Sequence, residues 1–254
     1  MGRKGESKHL KRLPSPGFWP IHVKVAKWVV KPSPGPHPRD MCIPLLLIVR
    51  DLLGYAKTGR EARTIVSQGK IRVDGKVRRD YRYPVGLMDV VEIADLDKTY
   101  RILPIEGKGL SLIEIPREEA IYKLCRVEGK TTVKGGHVQL SLHDGRSLLV
   151  NVNDPSKPVE DIYKVMDSLK ISLPSQDLLS HLKFSEGCYV LITGGANLGK
   201  VGRIKRVIKG TATRPPSASI EAKDGYVFQT IMEYTFVIGV EKPEITLPIQ
   251  VIAS

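Results

Sequence analysis

The chain has 254 residues, of which 41% are hydrophobic and 6% aromatic, and its 40 Lys and Arg outnumber 27 Asp and Glu to leave a net charge of +13. This length and apolar content suit two or three small cores built from Val, Ile and Leu and exclude a chain disordered throughout. The charge calls for a polyanionic partner, nucleic acid first and an anionic membrane surface second.

The positive charge is concentrated in blocks. Residues 1–40 carry an excess of +7, residues 50–82 of +6 and residues 187–214 of +6, so the remainder is net −6. Three well-separated cysteines (Cys42, Cys125, Cys188) and six histidines without ligand spacing argue against a disulfide framework and a metal site. A cytosolic protein without cofactor is expected. The longest apolar run, Met41 to Val49, contains Pro44 and is too short to span a bilayer, and the basic start lacks the apolar segment of a signal peptide.

In chain order, residues 1–41 read as an extended basic arm. Seven prolines block a long helix, and those from Pro32 to Pro38 make a stiff spacer. Such an arm is expected to order only on its partner. Trp19 and Trp28 lie among Lys24, Lys27 and Lys31, where an indole stacks on a base or ribose; the plainer reading of Trp28 is that it packs a short element onto a domain. Residues 42–105 read as a compact unit. Ile43 to Leu53 has helical spacing, Thr58-Gly59-Arg60-Glu61 is a capping box for a helix through Ser67, and Lys70 to Val73 and Lys76 to Arg78 flank an Asp74-Gly75 hairpin turn. Asp89 to Ile93 adds a strand.

Residues 106–180 read as a β-rich scaffold. Strands are expected at Leu110 to Ile115, Ala120 to Val127, Val138 to Leu142 and Ser147 to Val152, with a short helix within 159–169. Its acid pairs Glu118-Glu119 and Glu160-Asp161 lack a partner base and are read as solvated surface rather than catalytic carboxylates. Residues 181–254 begin with a strand, a Gly-rich turn from Gly194 to Lys200 and a second strand; Tyr226 to Met232 and Tyr234 to Val240 add two more. Gly194-x4-Gly199-Lys200 imitates a phosphate-binding loop, but Val201 stands where a metal-holding hydroxyl belongs, and a strand pattern follows where a helix is required.

The most informative cluster is the capped helix with its hairpin. Arg60 and Arg63 sit near a helix N-terminus, which favours phosphate, and alternation places Lys70, Arg72 and Lys76 on one hairpin face. Residues 43–93 resemble the S-four-type RNA-binding domain. With the arm Met1-Gly-Arg-Lys-Gly-Glu-Ser-Lys-His-Leu-Lys-Arg, the segment Lys27-Trp-Val-Val-Lys-Pro-Ser-Pro-Gly-Pro-His and Gly194-Gly-Ala-Asn-Leu-Gly-Lys-Val-Gly, the whole chain resembles the S-four-e family of small-subunit ribosomal proteins. That resemblance implies an α+β, β-rich multidomain protein: basic arm, two-helix-plus-hairpin module, central β domain and a C-terminal SH3-like KOW barrel. It implies a non-catalytic structural constituent of the small ribosomal subunit in the cytoplasm. Its partners are then ribosomal RNA and neighbouring small-subunit proteins, with no membrane and no small-molecule substrate.

The expected RNA contacts are Arg3, Lys4, Lys8, Lys11 and Arg12 in the arm, Thr58, Arg60, Arg63, Lys70, Arg72 and Lys76 in the module, and Lys200, Arg203 and Lys205 in the barrel. Two other classes compete. An RNA-modifying enzyme with an S-four module needs a catalytic motif that residues 106–254 do not show, and a KOW-type interaction module would not need so basic an arm.

Overall fold

Short Val-, Ile- and Leu-rich runs broken by Gly-centred turns fold into antiparallel strands, and helices are few. The computed structural model describes residues 7–22, 24–154, 159–222 and 225–248; Arg3 and Lys4 lie outside these.

The arm folds back on the unit that follows it. Strand β1 (Leu10–Lys11) pairs with β2 (Trp28–Val29). Leu10 and Trp19 are buried in the neighbouring core, and the Trp19 indole N–H donates to the Cys42 carbonyl at 2.7 Å. The Ser33 amide donates to the Arg82 carbonyl at 2.9 Å, and His37 at the end of the Pro-rich run is buried. The expectation of an arm that stays unfolded until bound is therefore corrected for its described residues: two apolar anchors and a buried histidine hold it.

The next unit contains β3 (Cys42–Pro44), α1 (Leu45–Leu47) continuing as a π-helical turn through Ile48–Leu52, and α2 (Gly59–Ser67). β4 (Ile71–Val73), β5 (Lys76–Val77), β6 (Pro84–Gly86) and β7 (Val90–Ile93) follow, then β8 (Lys98–Ile105) and β9 (Gly109–Glu114). The sheet order is β5-β4-β7-β8-β9, with β3 and β6 paired separately. The expected boundary at 105/106 thus falls inside the β8–β9 hairpin, because the fall in positive charge there is not a break in hydrogen bonding.

After α3 (Arg117–Ala120) come β10 (Tyr122–Thr132), β11 (Val138–Leu142), β12 (Ser147–Val150), β13 (Ser168–Ser172) and β14 (Leu178–Leu182), in the order β12-β11-β10-β13-β14. No helix forms at 159–169. The Met166 amide bonds back to the Val127 carbonyl in a turn, Asp167 accepts from the Lys164 amide, and Val159, Ile162 and Val165 remain exposed. The last sheet joins β15 (Tyr189–Ile192), β16 (Val201–Ile208), β17 (Ser217–Ala222), β18 (Val227–Ile231) and β19 (Thr235–Gly239) in the order β18-β17-β16-β15-β19. It is a four-strand meander whose fifth strand returns beside the first.

A buried charge cluster joins three of these parts. The Lys123 ammonium on β10, with no exposed surface, lies 2.5 Å from Asp89, 3.0 Å from Asp144 and 3.1 Å from Asp74. Asp74 occupies the β4–β5 turn with φ 51°, and Asp144 and Arg146 the β11–β12 turn; Arg146 bonds both Asp74 (2.5 Å) and Asp144 (3.2 Å). His37 of the arm reaches Asp89 at 3.1 Å. Burial, the largest single influence, would raise Asp89 and Asp144, but Lys123 together with His37 at Asp89 and with Arg146 at Asp144 outweighs it, holding Asp89 well below the usual carboxylate range and Asp144 at about 2. Burial likewise opposes the charge on Lys123, yet Asp74 and Asp89 hold its pKa well above the ordinary lysine value. Burial and Lys123 push His143 beside it down to about 3, so that ring is neutral.

A second tie fixes residues 244–247. The Glu119 carboxylate accepts from the Thr246 amide (3.0 and 3.1 Å) and hydroxyl (2.5 Å) and lies 3.4 Å from buried Arg101. The reading of Glu118-Glu119 as solvated holds for Glu118 alone; Glu119 is buried.

Lys123→Met takes the ammonium away from three buried carboxylates and should cost about 3–5 kcal/mol in urea unfolding. Because the folded-state pKa of Asp144 lies below its unfolded value, the stability it contributes is complete above about pH 4 and is lost as the pH falls toward about 2. Urea midpoints measured across that window should fall, and Asp144→Asn should flatten that part of the profile.

Candidate nucleic-acid interface

The capping box forms as the sequence predicts. The Glu61 amide donates to the Thr58 hydroxyl at 3.3 Å, and the Glu61 carboxylate accepts from the Lys57 (2.9 Å) and Thr58 (3.3 Å) amides, hydrogen bonds that hold its pKa below the usual value. Thr58 is thus committed to the helix. Glu61 brings a negative charge to the α2 N-terminus, so cationic side chains rather than free amides supply the attraction there.

Those side chains converge with the arm. A cleft of about 280 Å³ runs between β1–β2, α2 and the loop before β6, and Lys8, Lys31, Arg50, Arg63 and Arg82 line it with Trp28 and Tyr81. Arg63 lies over the Tyr81 ring at 4.5 Å and Arg82 at 5.3 Å, which orients both guanidinium groups. Arg50 is forked onto Asp51 at 2.8 and 2.9 Å, so part of its charge is offset. Sequence reasoning selected Lys8 and Arg63 here but not Lys31, Arg50 or Arg82. Only the docking of the arm reveals that they share a surface, since they are scattered over 75 positions.

Other expected contacts divide. Lys11 is exposed beside Trp28, and Arg60 is exposed on the first turn of α2. Arg12 is internal: its guanidinium donates to the Ile21 carbonyl at 2.8 and 3.1 Å and to the Ser15 hydroxyl at 3.0 Å, closing the arm's turn. The single basic hairpin face is also corrected. The two-residue Asp74-Gly75 turn sets Val73 opposite Lys76 and Arg72 opposite Val77, so Arg72 and Lys76 project to opposite faces. Arg72 borders a mixed-charge cleft with Glu92, Asp97, Lys98 and Arg117, whereas Lys76 shares another with Arg78 and Arg146. Lys70 is half-buried and paired with Asp95 at 2.6 Å.

In the last sheet, Arg203 is exposed and lies 4.5 Å over Tyr189. Lys205 and the adjacent Arg206, which strict strand alternation would turn to opposite faces, are both exposed because a bulge between Ile204 and Arg206 interrupts it; Lys205 lies 3.8 Å from Glu221. Lys200 is half-buried, 3.8 Å from Glu106. The Gly-rich turn joins two strands and opens no helix. Gly199, with φ 83°, packs against backbone: a Cβ there would lie 2.5 Å from the Glu106 nitrogen. Gly199 therefore docks the turn on the end of β8, while Gly194 and Gly195 lie against the Tyr234 ring.

Cys125, His143 and Asp144 bring three potential metal-ligand atoms within 4.8 Å of one another, but the donors are engaged. One His143 nitrogen accepts from the Arg126 amide (3.2 Å) and the other faces the Leu87 carbonyl (3.2 Å). Burial holds the Cys125 thiol well above its usual value, and Asp144 serves Lys123 and Arg146.

The chain matches family models over three stretches: the RS4NT (NUC023) domain at residues 4–40, the S4 domain at 47–91 and Ribosomal family S4e at 96–178. Fold and site thus place it among β-rich proteins that carry an S4 domain. It is 56% identical over 248 residues to the small ribosomal subunit protein eS4 of Staphylothermus marinus, covering 98% of both chains. It is 44% identical to that of Methanocaldococcus jannaschii, covering 97% of this chain and 100% of that one. The crystal structure of the 30S ribosomal protein S4e from Thermoplasma acidophilum superposes with a TM-score of 0.65 at 32% identity, covering 79% of this chain and 96% of the other. The chain belongs to the Ribosomal family S4e.

Gly199→Ala forces a left-handed alanine against the β8 backbone. It should cost at least about 2 kcal/mol in chemical denaturation, with left-handed strain accounting for about 1–2 kcal/mol of that.

Proposed function

We propose that this protein is a non-catalytic structural constituent of the small ribosomal subunit, holding folded ribosomal RNA and touching neighbouring ribosomal proteins. The relatives' names place them in that subunit. The observation that carries RNA binding is the cleft where arm and S4 unit present Lys8, Lys31, Arg50, Arg63 and Arg82 together. Cations at this density on a fixed surface neutralise neighbouring phosphates and release their counterions, a recognition that follows backbone shape more than base sequence.

In this reading the parts are the arm (1–41), the S4-type unit from residue 42 with its sheet carried through β9, the central sheet, and a C-terminal small barrel of KOW type. The barrel reading is supported by the meander and by β19 returning beside β15. Arm and S4 unit act as one continuous grip, and Arg203, Lys205 and Arg206 of the barrel form a second. Arg60 and Lys11 extend the first, whereas Arg72 and Lys76 line separate clefts on opposite faces of their hairpin. Among the described residues no helix is long and apolar enough to cross a membrane.

Neutralising Arg63 or Arg82 to Gln should weaken binding to small-subunit ribosomal RNA and lower the slope of log K against log salt by about 0.7–0.9 each. Folding stability should change by less than about 1 kcal/mol. An unchanged slope, or a protein that sediments apart from the small subunit at physiological salt, counts against the proposal.

A further inference from the structure

The two tryptophans of the chain have opposite surroundings. Trp19 is 2% exposed and hydrogen-bonded within the core, whereas Trp28 leaves 55% of its surface in solvent. Burying apolar area explains the first and not the second: an exposed indole gives up most of the transfer energy a Trp supplies. Yet Trp28 is firmly placed. Its backbone is laddered to Lys11, the Lys27 and Lys11 ammonium groups lie 5.5 and 5.8 Å from its ring, and His9 sits at 5.5 Å, tilted by 56°. The indole also borders the cleft lined by Arg63 and Arg82. A half-exposed aromatic ring on a fixed strand, with long flexible lysines over it and a basic groove beside it, suits an unpaired nucleotide. The base stacks on the ring, and the flanking phosphates lie against the cations.

We infer that Trp28 is the stacking platform for an unpaired RNA base, which takes the place of the Lys11 and Lys27 ammonium groups over the ring and draws them to its flanking phosphates, while the Arg63–Arg82 cleft takes the adjoining backbone. This rests on the RNA-binding reading above and adds what that reading lacks: a preference for unpaired over fully paired RNA. A paired base keeps both faces stacked within its own helix, so a duplex offers the indole nothing but its end.

The test uses the full chain, tryptophan fluorescence and two RNAs, a hairpin with an unpaired loop and the same RNA closed into a continuous duplex. The hairpin should quench the emission and the duplex should not, when each is bound to the same extent by filter retention. In Trp28→Leu, where Trp19 remains as internal reference, quenching should vanish and hairpin affinity should fall about 5- to 150-fold, the equivalent of about 1–3 kcal/mol per stacked base. Trp28→Phe should recover most of the affinity, and neither variant should shift the thermal midpoint. Equal quenching by duplex, or undiminished hairpin binding by Trp28→Leu, would overturn the inference and leave Trp28 as packing for the arm hairpin. If the unaltered chain binds neither RNA in a salt-dependent way, the RNA-binding reading falls as well.

Discussion

One buried ammonium governs how the parts of this protein meet. Lys123 leaves water entirely and is compensated by carboxylates from three separate turns or strand ends. A charge in that position tolerates little displacement, because each partner lost leaves another ion uncompensated in a medium of low dielectric. The cluster therefore fixes the β4–β5 turn against the β11–β12 turn, and His37 extends the same constraint to the arm. Apolar packing continues outward from it. Leu87, Met88, Leu103 and Leu124 share one core with the strands of the last sheet, so the chain's sheets form one connected body.

The basic cleft is a product of that rigidity. Its cations come from an arm that sequence composition marks as unable to fold and from a module that composition marks as compact. They share a surface only because Leu10 and Trp19 enter the module's core. Instead of three separate basic blocks, the fold presents two basic surfaces. Arm and S4 unit form one; the other lies on the last sheet, where a bulge turns the adjacent Lys205 and Arg206 outward together.

Local signals were legible and distant ones were not. Thr58 and Glu61 lie within one helical turn, and Asp74-Gly75 within one hairpin turn, so residue type and spacing sufficed to place both. The same Asp74 shows the limit: its carboxylate answers to Lys123, 49 positions away, and no periodicity encodes that. A lone lysine within Ala120-Ile-Tyr-Lys-Leu-Cys125 was the one available sign that a strand interior carried a charge in need of partners. Glu119 misled for the same reason, because its partner Thr246 lies 127 residues on. The helix expected at 159–169 failed because apolar spacing cannot distinguish an amphipathic helix from a turn that leaves its apolar residues exposed. Nothing in the spacing of Trp19 and Trp28 among lysines told which ring is buried and which stays half in solvent.

The Glu119–Thr246 tie bears on the order in which the molecule can be completed as it is made. Residues 244–247 are synthesised long after Arg101, Glu119 and Tyr122, yet they supply hydrogen-bond partners for the last two and, through Ile245 and Leu247, part of the apolar core. A nascent chain that has not yet emitted them carries an open seam, with a carboxylate short of donors and core side chains still wet. Structural completion thus waits on translation of residues 244–247: a copy that stops before them is distinguishable by its exposed seam.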